Sequence, residues 1–125
     1  MKKPYVYICS PYRATSAEQL EKNIALARRA SCMAMALRRI PIVPHLLFPQ
    51  FLDESDEEQR KVGIEAGLTM LELAEELWVV GSTISEGMAK EIAKATELGI
   101  PIRILDDPKD ASTKVVSEIL KKEAK

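Results

Sequence analysis

The order of apolar segments limits the fold of this chain more than any other feature. Four short apolar runs, beginning near Pro4, Ile40, Glu76 and Ile100, are separated by longer segments in which hydrophobic residues recur with helical spacing. Strands that alternate with helices in this way form right-handed crossovers and a parallel sheet covered by helices on both faces. The sequence therefore predicts an α/β fold, a three-layer α/β/α Rossmann-like (flavodoxin-like) domain with a mostly parallel sheet of four to five strands.

Composition excludes several classes of protein. The 125 residues suit one domain, and a net charge of −1 does not supply the basic surface that nucleic-acid binding needs. No apolar run approaches the roughly 20 residues needed to cross a bilayer, so we expect neither a nucleic-acid nor a membrane partner. The two cysteines, Cys9 and Cys32, are too few for a disulfide framework and indicate a reducing, cytoplasmic location.

Common cofactor and metal motifs are absent from the chain. There is no Gly-rich Walker loop and no G-x-G-x-x-G after the first apolar run, which argues against ATP or dinucleotide binding in those styles. A single histidine, His45, cannot build a His-based metal site. We therefore expect no cofactor and no metal.

Local signals place two helices and one loop. Residues 15–18 (TSAE) and 55–58 (SDEE) have the pattern of capping boxes, and helical periodicity continues from them to about Arg38 and Ala74. Residues 45–52 are apolar, have no clean period and contain a proline. We expect them to form an ordered loop that covers another part of the molecule.

The strongest functional signal follows the third apolar run. A strand at residues 76–80 that turns through residues 81–83 into a helix puts the free N–H groups of that helix at the carboxyl edge of the sheet, where anions bind. Ser85 is a suitable N-cap for this helix. At about 100° per residue, Glu91 lies at the margin of the buried helix face. It is a carboxylate placed to act as nucleophile or base, and a salt bridge at the helix edge is the plainer alternative.

Two further segments are expected to reach the same edge. Ser10, Tyr12 and Arg13 follow the first strand, and His45 and Phe48 follow the second. The set suits a nucleotide, with the guanidinium on phosphate, the imidazole or the phenyl ring against the base, and the carboxylate of the helix at the sugar. The plainer alternatives are a surface arginine, a structural histidine and a phenylalanine of the core or of an interface. Tyr12 could either lie over the sugar or pack on the first helix.

The spacing Ser85-x-Gly87-x-x-x-Glu91, between a strand and a helix, resembles the signature of the nucleoside 2-deoxyribosyltransferase superfamily, including its nucleoside 5′-monophosphate N-glycosidase branch. The resemblance implies that Glu91 is the nucleophile on the anomeric carbon and that Ser85, beside Gly87, helps to hold a 5′-phosphate. It also implies that Ser10 and Arg13 contact phosphate.

A second resemblance covers more of the chain. Residues 7–13, 44–52, 76–81 and 84–88 look like a bacterial and phage group of uncharacterised domains (DUF4406-like) that is usually placed in the same superfamily. Residues 1–125 are then expected to form one nucleoside deoxyribosyltransferase-like domain whose last residues fray. The resembling enzymes cover the apolar loop with a partner subunit, so we also expect a homo-oligomer, a dimer or higher.

Two hypotheses about function remain open. The first is an enzyme, a hydrolase or transferase, that cleaves or transfers the N-glycosidic bond of a nucleotide or (deoxy)nucleoside through Glu91. The second is a non-catalytic module that binds a nucleotide or an ADP-ribosyl ligand. The module is favoured because the superfamily's usual acid before the third strand is matched only approximately, by Glu65, and a second acid is replaced by Ser82 and Thr83. The spacing of Glu91 favours the enzyme.

Overall fold

The structure is a computed structural model that describes residues 3–123. Within this range, four strands and five helices alternate along the chain. The strands are β1 (Tyr5–Cys9), β2 (Ile40–Ile42), β3 (Glu76–Val80) and β4 (Ile102–Leu105). The helices are α1 (Ala17–Ala36), α2 (Pro44–Leu47), α3 (Glu57–Leu71), α4 (Glu86–Leu98) and α5 (Thr113–Glu123). The predicted fraying of the last residues concerns Ala124 and Lys125, which lie outside the described residues.

The strands form one parallel sheet in the order β2-β1-β3-β4. The chain leaves β1 towards β2 on one side and leaves β3 towards β4 on the other. The connections after β1 and β3 therefore diverge, and a crevice opens between the carboxyl ends of these two strands. This is the position at which open α/β sheets bind their ligands.

Helices cover both faces of the sheet, which confirms the predicted three-layer architecture. Alternate residues of each strand point to opposite faces. Val6 and Ile8 pack with residues of α1 in one core, and α5 packs against α1 on that side. Tyr7 and Cys9 belong to the second core, which includes Met88 of α4.

Helix α4 begins at the N-cap that its sequence predicts. Ser85 is the N-cap, and its Oγ accepts a hydrogen bond from the Met88 backbone nitrogen at 3.2 Å. Gly99 follows the helix with a φ of 74°, a conformation that costs glycine little. The helix is therefore fixed at both ends, with its N-terminus at the crevice.

The apolar segment after β2 differs from its prediction as a loop. It forms the short helix α2 and then a 3₁₀ turn at Phe48–Gln50. Pro44 and Pro49 each stand near the start of a helical turn, where a missing N–H costs nothing because that group would have no helical acceptor. Pro49, the proline that argued against a regular element, is thus compatible with a very short one.

The two capping segments begin their helices one residue later than the predicted boxes. Ser16 caps α1 and Asp56 caps α3, each accepting backbone hydrogen bonds through its side chain. Ser55 instead donates its hydroxyl to Asp53 at 2.6 Å. Each segment contains two adjacent residues that can cap, and the pattern alone did not choose between them.

None of the helices within residues 3–123 combines the length and the apolar character needed to cross a membrane.

Candidate functional site

A cavity of about 260 Å³ opens at the crevice between β1, α2, α3 and α4. It brings together every site residue predicted from the sequence except Ser10, and those that line it are Tyr12, Arg13, His45, Phe48, Ser85, Gly87 and Glu91. Segments that are distant in the sequence therefore meet at one edge of the sheet.

Glu91 is the buried carboxylate of this cavity. The residue is 8% exposed although its helix carries other acidic residues in solvent. Its carboxylate accepts hydrogen bonds from the Tyr7 hydroxyl and from the Cys9 thiol, whose Sγ lies 3.7 Å from Oε1. Burial raises the pKa of Glu91 to about 7, and the two hydrogen bonds oppose this shift. The carboxyl group therefore changes its charge near neutral pH.

Tyr7 has room beside Glu91 because α3 carries a glycine next to the tyrosine hydroxyl. A Cβ added to Gly67 would lie 3.3 Å from the Tyr7 hydroxyl oxygen and 3.5 Å from carbons of Pro44. Burial, followed by the charge of Glu91, raises the pKa of Tyr7, so its hydroxyl keeps its proton and acts as a donor. A larger residue at position 67 would press on this hydroxyl.

The sequence interpretation did not identify Tyr7 or Cys9 as site residues. The sequence feature that could have identified them is the alternation of side chains along β1, which puts both on the sheet face covered by α4. Cys9 is also the last residue of its strand, at the edge that carries Glu91. Alternation and edge position together could have identified the pair.

Three cationic side chains line the cavity to which the first turn of α4 also contributes. They are Arg13 and two residues that the sequence interpretation missed, Arg60 and Lys90. A Cβ on Gly87 would meet nothing closer than Ser85 Oγ at 4.0 Å, so space is open above the first turn. These cations, with the free N–H groups of the helix, are suited to bind a phosphate or carboxylate.

His45 and Tyr12 form a stacked pair at the cavity wall. Their ring centroids lie 5.0 Å apart and their planes differ by 21°. Burial lowers the pKa of His45 to about 4, although a hydrogen bond to the backbone of Ser10 acts in the opposite direction. The imidazole is therefore neutral at pH 7 and can accept or donate one hydrogen bond. Phe48 adds an aromatic surface to the same cavity.

Ser10 lies behind the cavity wall. It is fully buried and does not line the cavity, and its Oγ has no hydrogen-bond partner among the described residues. The loop that follows it is fixed by Asn23, whose side-chain nitrogen donates to the Tyr12 carbonyl oxygen at 3.0 Å. Phosphate contact by Ser10 stays a prediction.

The carboxyl groups that line the cavity do not include Glu65, the approximate match to the superfamily's usual acid. Glu65 is exposed on α3 and does not line the cavity, whereas Glu54 and Glu86 do. Within residues 3–123, no cluster of three or more His, Cys, Asp or Glu side chains is arranged to hold a metal ion. The cavity thus offers Glu91 and two further carboxyls for proton transfer.

Comparisons with known proteins support the fold. The solved structure of a 2-deoxyribosyltransferase from the psychrotolerant bacterium Bacillus psychrosaccharolyticus matches with a TM-score of 0.66, covering 91% of this chain and 80% of that chain at 16% identity. At that identity the similarity shows a shared fold alone. No curated protein sequence matches this chain significantly.

Family membership follows from the sequence match. A family model described as a domain of unknown function, DUF7768, matches residues 4–105. The resemblance to the DUF4406-like group is not confirmed, because the matching family is a different one. The match extends from the residue before β1 to the end of β4 and so includes the whole sheet. The chain therefore belongs to the DUF7768 family of domains.

Proposed function

We propose that this domain cleaves or transfers the N-glycosidic bond of a nucleoside or nucleotide, with Glu91 as the nucleophile. The observation that carries the proposal is a carboxylate only 8% exposed that lines a cavity at the switch point of the sheet and accepts two hydrogen bonds. A carboxylate held in this way is oriented, partly desolvated and close to the cavity, as a nucleophile requires.

The reaction has two steps. The Glu91 carboxylate attacks C1′ of the sugar through an oxocarbenium-like transition state while the C1′–N bond breaks, and its electron pair leaves with the base, which takes a proton. Water or a second base then attacks C1′, loses a proton and releases Glu91. The product is a free sugar or a new nucleoside, depending on which acceptor enters the cavity.

The remaining residues divide between the phosphate and the base. Arg13 and the N-terminus of α4, capped by Ser85, would hold the phosphate of a nucleotide. The base would lie against Phe48 and the neutral His45, which can form a hydrogen bond without adding charge. Glu54 and Glu86 are the two other carboxyls of the cavity that could donate the proton to the leaving base.

The test is release of free base from a panel of ribo- and deoxynucleosides and their 5′-monophosphates, with and without an acceptor base. Glu91→Gln should reduce turnover by about a thousandfold or more while ligand affinity is retained, because the substitution removes the nucleophile and keeps the shape. A Glu91→Gln variant that releases base as fast as the wild type would refute the proposal.

The general acid is tested by separate variants. Glu54→Gln and Glu86→Gln each remove one cavity carboxyl, and loss of a general acid typically costs about 10²–10⁴-fold in rate. Glu65→Gln is the matched control, because Glu65 is exposed on α3 and does not line the cavity. Equal rates in all three variants would mean that none of these carboxyls protonates the base.

A second candidate function is a binding module for a nucleotide or an ADP-ribosyl ligand. It is favoured by the position of Glu65, which is the approximate match to the usual acid and does not line the cavity. Calorimetry that detects binding of a nucleotide, combined with no base release over hours, would select the module over the enzyme.

A further inference from the structure

We propose that Cys9 is a positioning residue for Glu91, and that its thiol proton moves between two acceptors as Glu91 gains or loses its charge. Only the kinetic consequence of this inference rests on the proposed function. The inference concerns a residue that packs beneath the carboxylate and does not line the cavity.

The geometry offers one donor and two acceptors. Cys9 Sγ lies 3.7 Å from Glu91 Oε1 and 3.7 Å from the Met88 carbonyl oxygen. Both acceptors belong to α4, whereas Cys9 ends β1 and is fully buried. A thiol carries one proton, so it can donate to only one of the two acceptors at a time.

The charge of Glu91 decides which acceptor the thiol prefers. A hydrogen bond to an ionised oxygen is roughly twice as strong as one to a neutral oxygen. When Glu91 is ionised, the S–H group is therefore expected to point at Oε1. When Glu91 is protonated, or has become an ester with the sugar, the Met88 carbonyl competes for the same proton.

The thiol remains a donor under these conditions. Burial, followed by the charge of Glu91, raises the pKa of Cys9, so the group does not ionise near neutral pH. A buried cysteine is often no more than a small apolar side chain. Here it contacts a buried carboxylate that needs donors, and this contact gives it a second role.

Other titratable groups surround the pair and must be separated from it. Tyr7, on the same strand, is the second donor to Glu91. The other segments around the cavity present further titratable or charged groups, which are Tyr12, Arg13, His45, Glu54, Arg60, Glu86 and Lys90. A comparison with Glu91→Gln distinguishes the response of Cys9 to Glu91 from its response to these groups.

Infrared spectroscopy can follow the thiol directly. The chain has two cysteines, so Cys32→Ala leaves Cys9 as the only source of an S–H stretching band. Cys32 lies half-buried on α1 and does not line the cavity. In this variant the band should move to lower frequency as the pH rises through about 7, because the thiol then donates to a charged oxygen.

Two outcomes of the infrared experiment would overturn the proposal. One is a band that does not move across this pH range. The other is an equal movement in Cys32→Ala combined with Glu91→Gln, which would assign the response to another group. A shift that needs Glu91 supports the proposal and requires no enzymatic activity.

Kinetics provides the second test. Cys9→Ala removes the donor, so Glu91 should ionise at higher pH and kcat/KM should fall by about tenfold on the acid side of the profile, with a smaller loss on the alkaline side. Cys9→Ser keeps a donor and should restore the wild-type profile. Equal losses in both variants at every pH would indicate packing alone. Thermal unfolding of each variant checks that it is folded.

The two proposals fail in different ways. If no substrate is turned over but the thiol band follows Glu91, the proposed function fails and the positioning role stands. If base is released and Glu91 is required, but the S–H band does not follow Glu91 and Cys9→Ala leaves the pH profile unchanged, the positioning role fails and the proposed function stands.

Discussion

Two titratable side chains, the buried Glu91 and the partly buried His45, give the cavity its response to pH. Burial raises the pKa of the carboxyl and lowers that of the imidazole, because a low-dielectric environment disfavours the charged form of each. Both groups are therefore largely uncharged between about pH 5 and 6. The cavity exposes an ionised Glu91 only as the pH rises further.

The free energy of unfolding should depend on pH because Glu91 is buried. Its pKa is raised from 4.5 to about 7, so its favourable contribution is complete below pH 4.5 and is lost as the pH rises through 7. A shift of this size corresponds to about 3 kcal/mol. Glu91→Gln should therefore be more stable than the wild type by up to about 3 kcal/mol near pH 8 and by little near pH 4.

Urea unfolding at both pH values measures this difference. His45 acts in the opposite direction, since its lowered pKa removes stability as the pH falls from 6.5 to about 4. Because His45 is present in both proteins, the difference between wild type and variant isolates Glu91. An identical pH dependence in the two proteins would contradict a raised pKa.

Turnover should depend on pH through the same group. If Glu91 is the nucleophile, only its ionised form attacks, so kcat/KM should rise with pH and level off above about 7. Below that value the rate should fall about tenfold per pH unit. A profile that is flat between about pH 5 and 8 would exclude a single carboxylate with this pKa as the nucleophile.

Helical periodicity could predict the position of Glu91, but not its partners. Its place at the margin of the buried face follows from counting along one helix. Its contacts with Tyr7 and Cys9 depend on how α4 lies across β1, a relation between segments about 80 residues apart. For the same reason the sequence did not reveal that Arg60 faces the cavity or that Ser10 lies behind its wall.

Helix α4 combines a structural cap and a proposed binding site in one turn. Ser85 caps the helix through its Oγ and also lines the cavity. A cap of this kind contributes about 1 kcal/mol to stability. Ser85 therefore affects folding whether or not the cavity binds phosphate.

A matched pair of variants separates the two roles. Ser85→Ala should cost about 1 kcal/mol of stability and also weaken binding of a 5′-monophosphate by about three- to tenfold. Ser16→Ala is the control, because Ser16 caps α1 in the same way, accepting from the Gln19 backbone nitrogen at 3.1 Å, and does not line the cavity. Calorimetry and thermal unfolding measure both quantities. Equal affinities in the two variants would remove Ser85 from the phosphate site.

Elements with a clear period were predictable and the segment without one was not. The predicted bounds of β3, residues 76–80, agree with the structure, because the run is continuously apolar and bounded by turn residues. Residues 45–52 gave no period because α2 has four residues and the turn after it three, too few to repeat a pattern. The position of α2 depends instead on tertiary contacts, among them those with α1.

At the scale of the whole molecule, the topology explains why a four-stranded sheet can form a site. The divergence of the chain after β1 and β3 opens the crevice, and α3 and α4 on one face deepen it. A ligand that binds only this folded cavity should stabilise the domain by about 2.7 kcal/mol at a hundred times its Kd. Thermal shifts with the nucleotide panel would therefore identify ligands before any turnover is known.

Apolar surface beside the cavity leads to the prediction of self-association. Leu47 and Phe51 are 43% and 64% exposed, and Phe51 packs edge-on against Phe48 of the cavity wall, with ring centroids 5.9 Å apart. Contiguous apolar surface of this kind is commonly covered by another subunit. We expect a dimer or a larger oligomer at micromolar concentration.

Size-exclusion chromatography with light scattering tests this expectation. Phe51→Glu should shift the protein to a monomer, because association would bury an unpaired charge. Ile104→Glu is the control, since Ile104 is 81% exposed on β4. This strand forms one edge of the sheet, and β2, which α2 follows along the chain, forms the other. If association covers the wall of the cavity, the Phe51 variant should also lose ligand affinity while the control keeps it. A monomeric wild type would contradict the predicted self-association, and dissociation by Ile104→Glu alone would place the interface at β4 instead of beside the cavity.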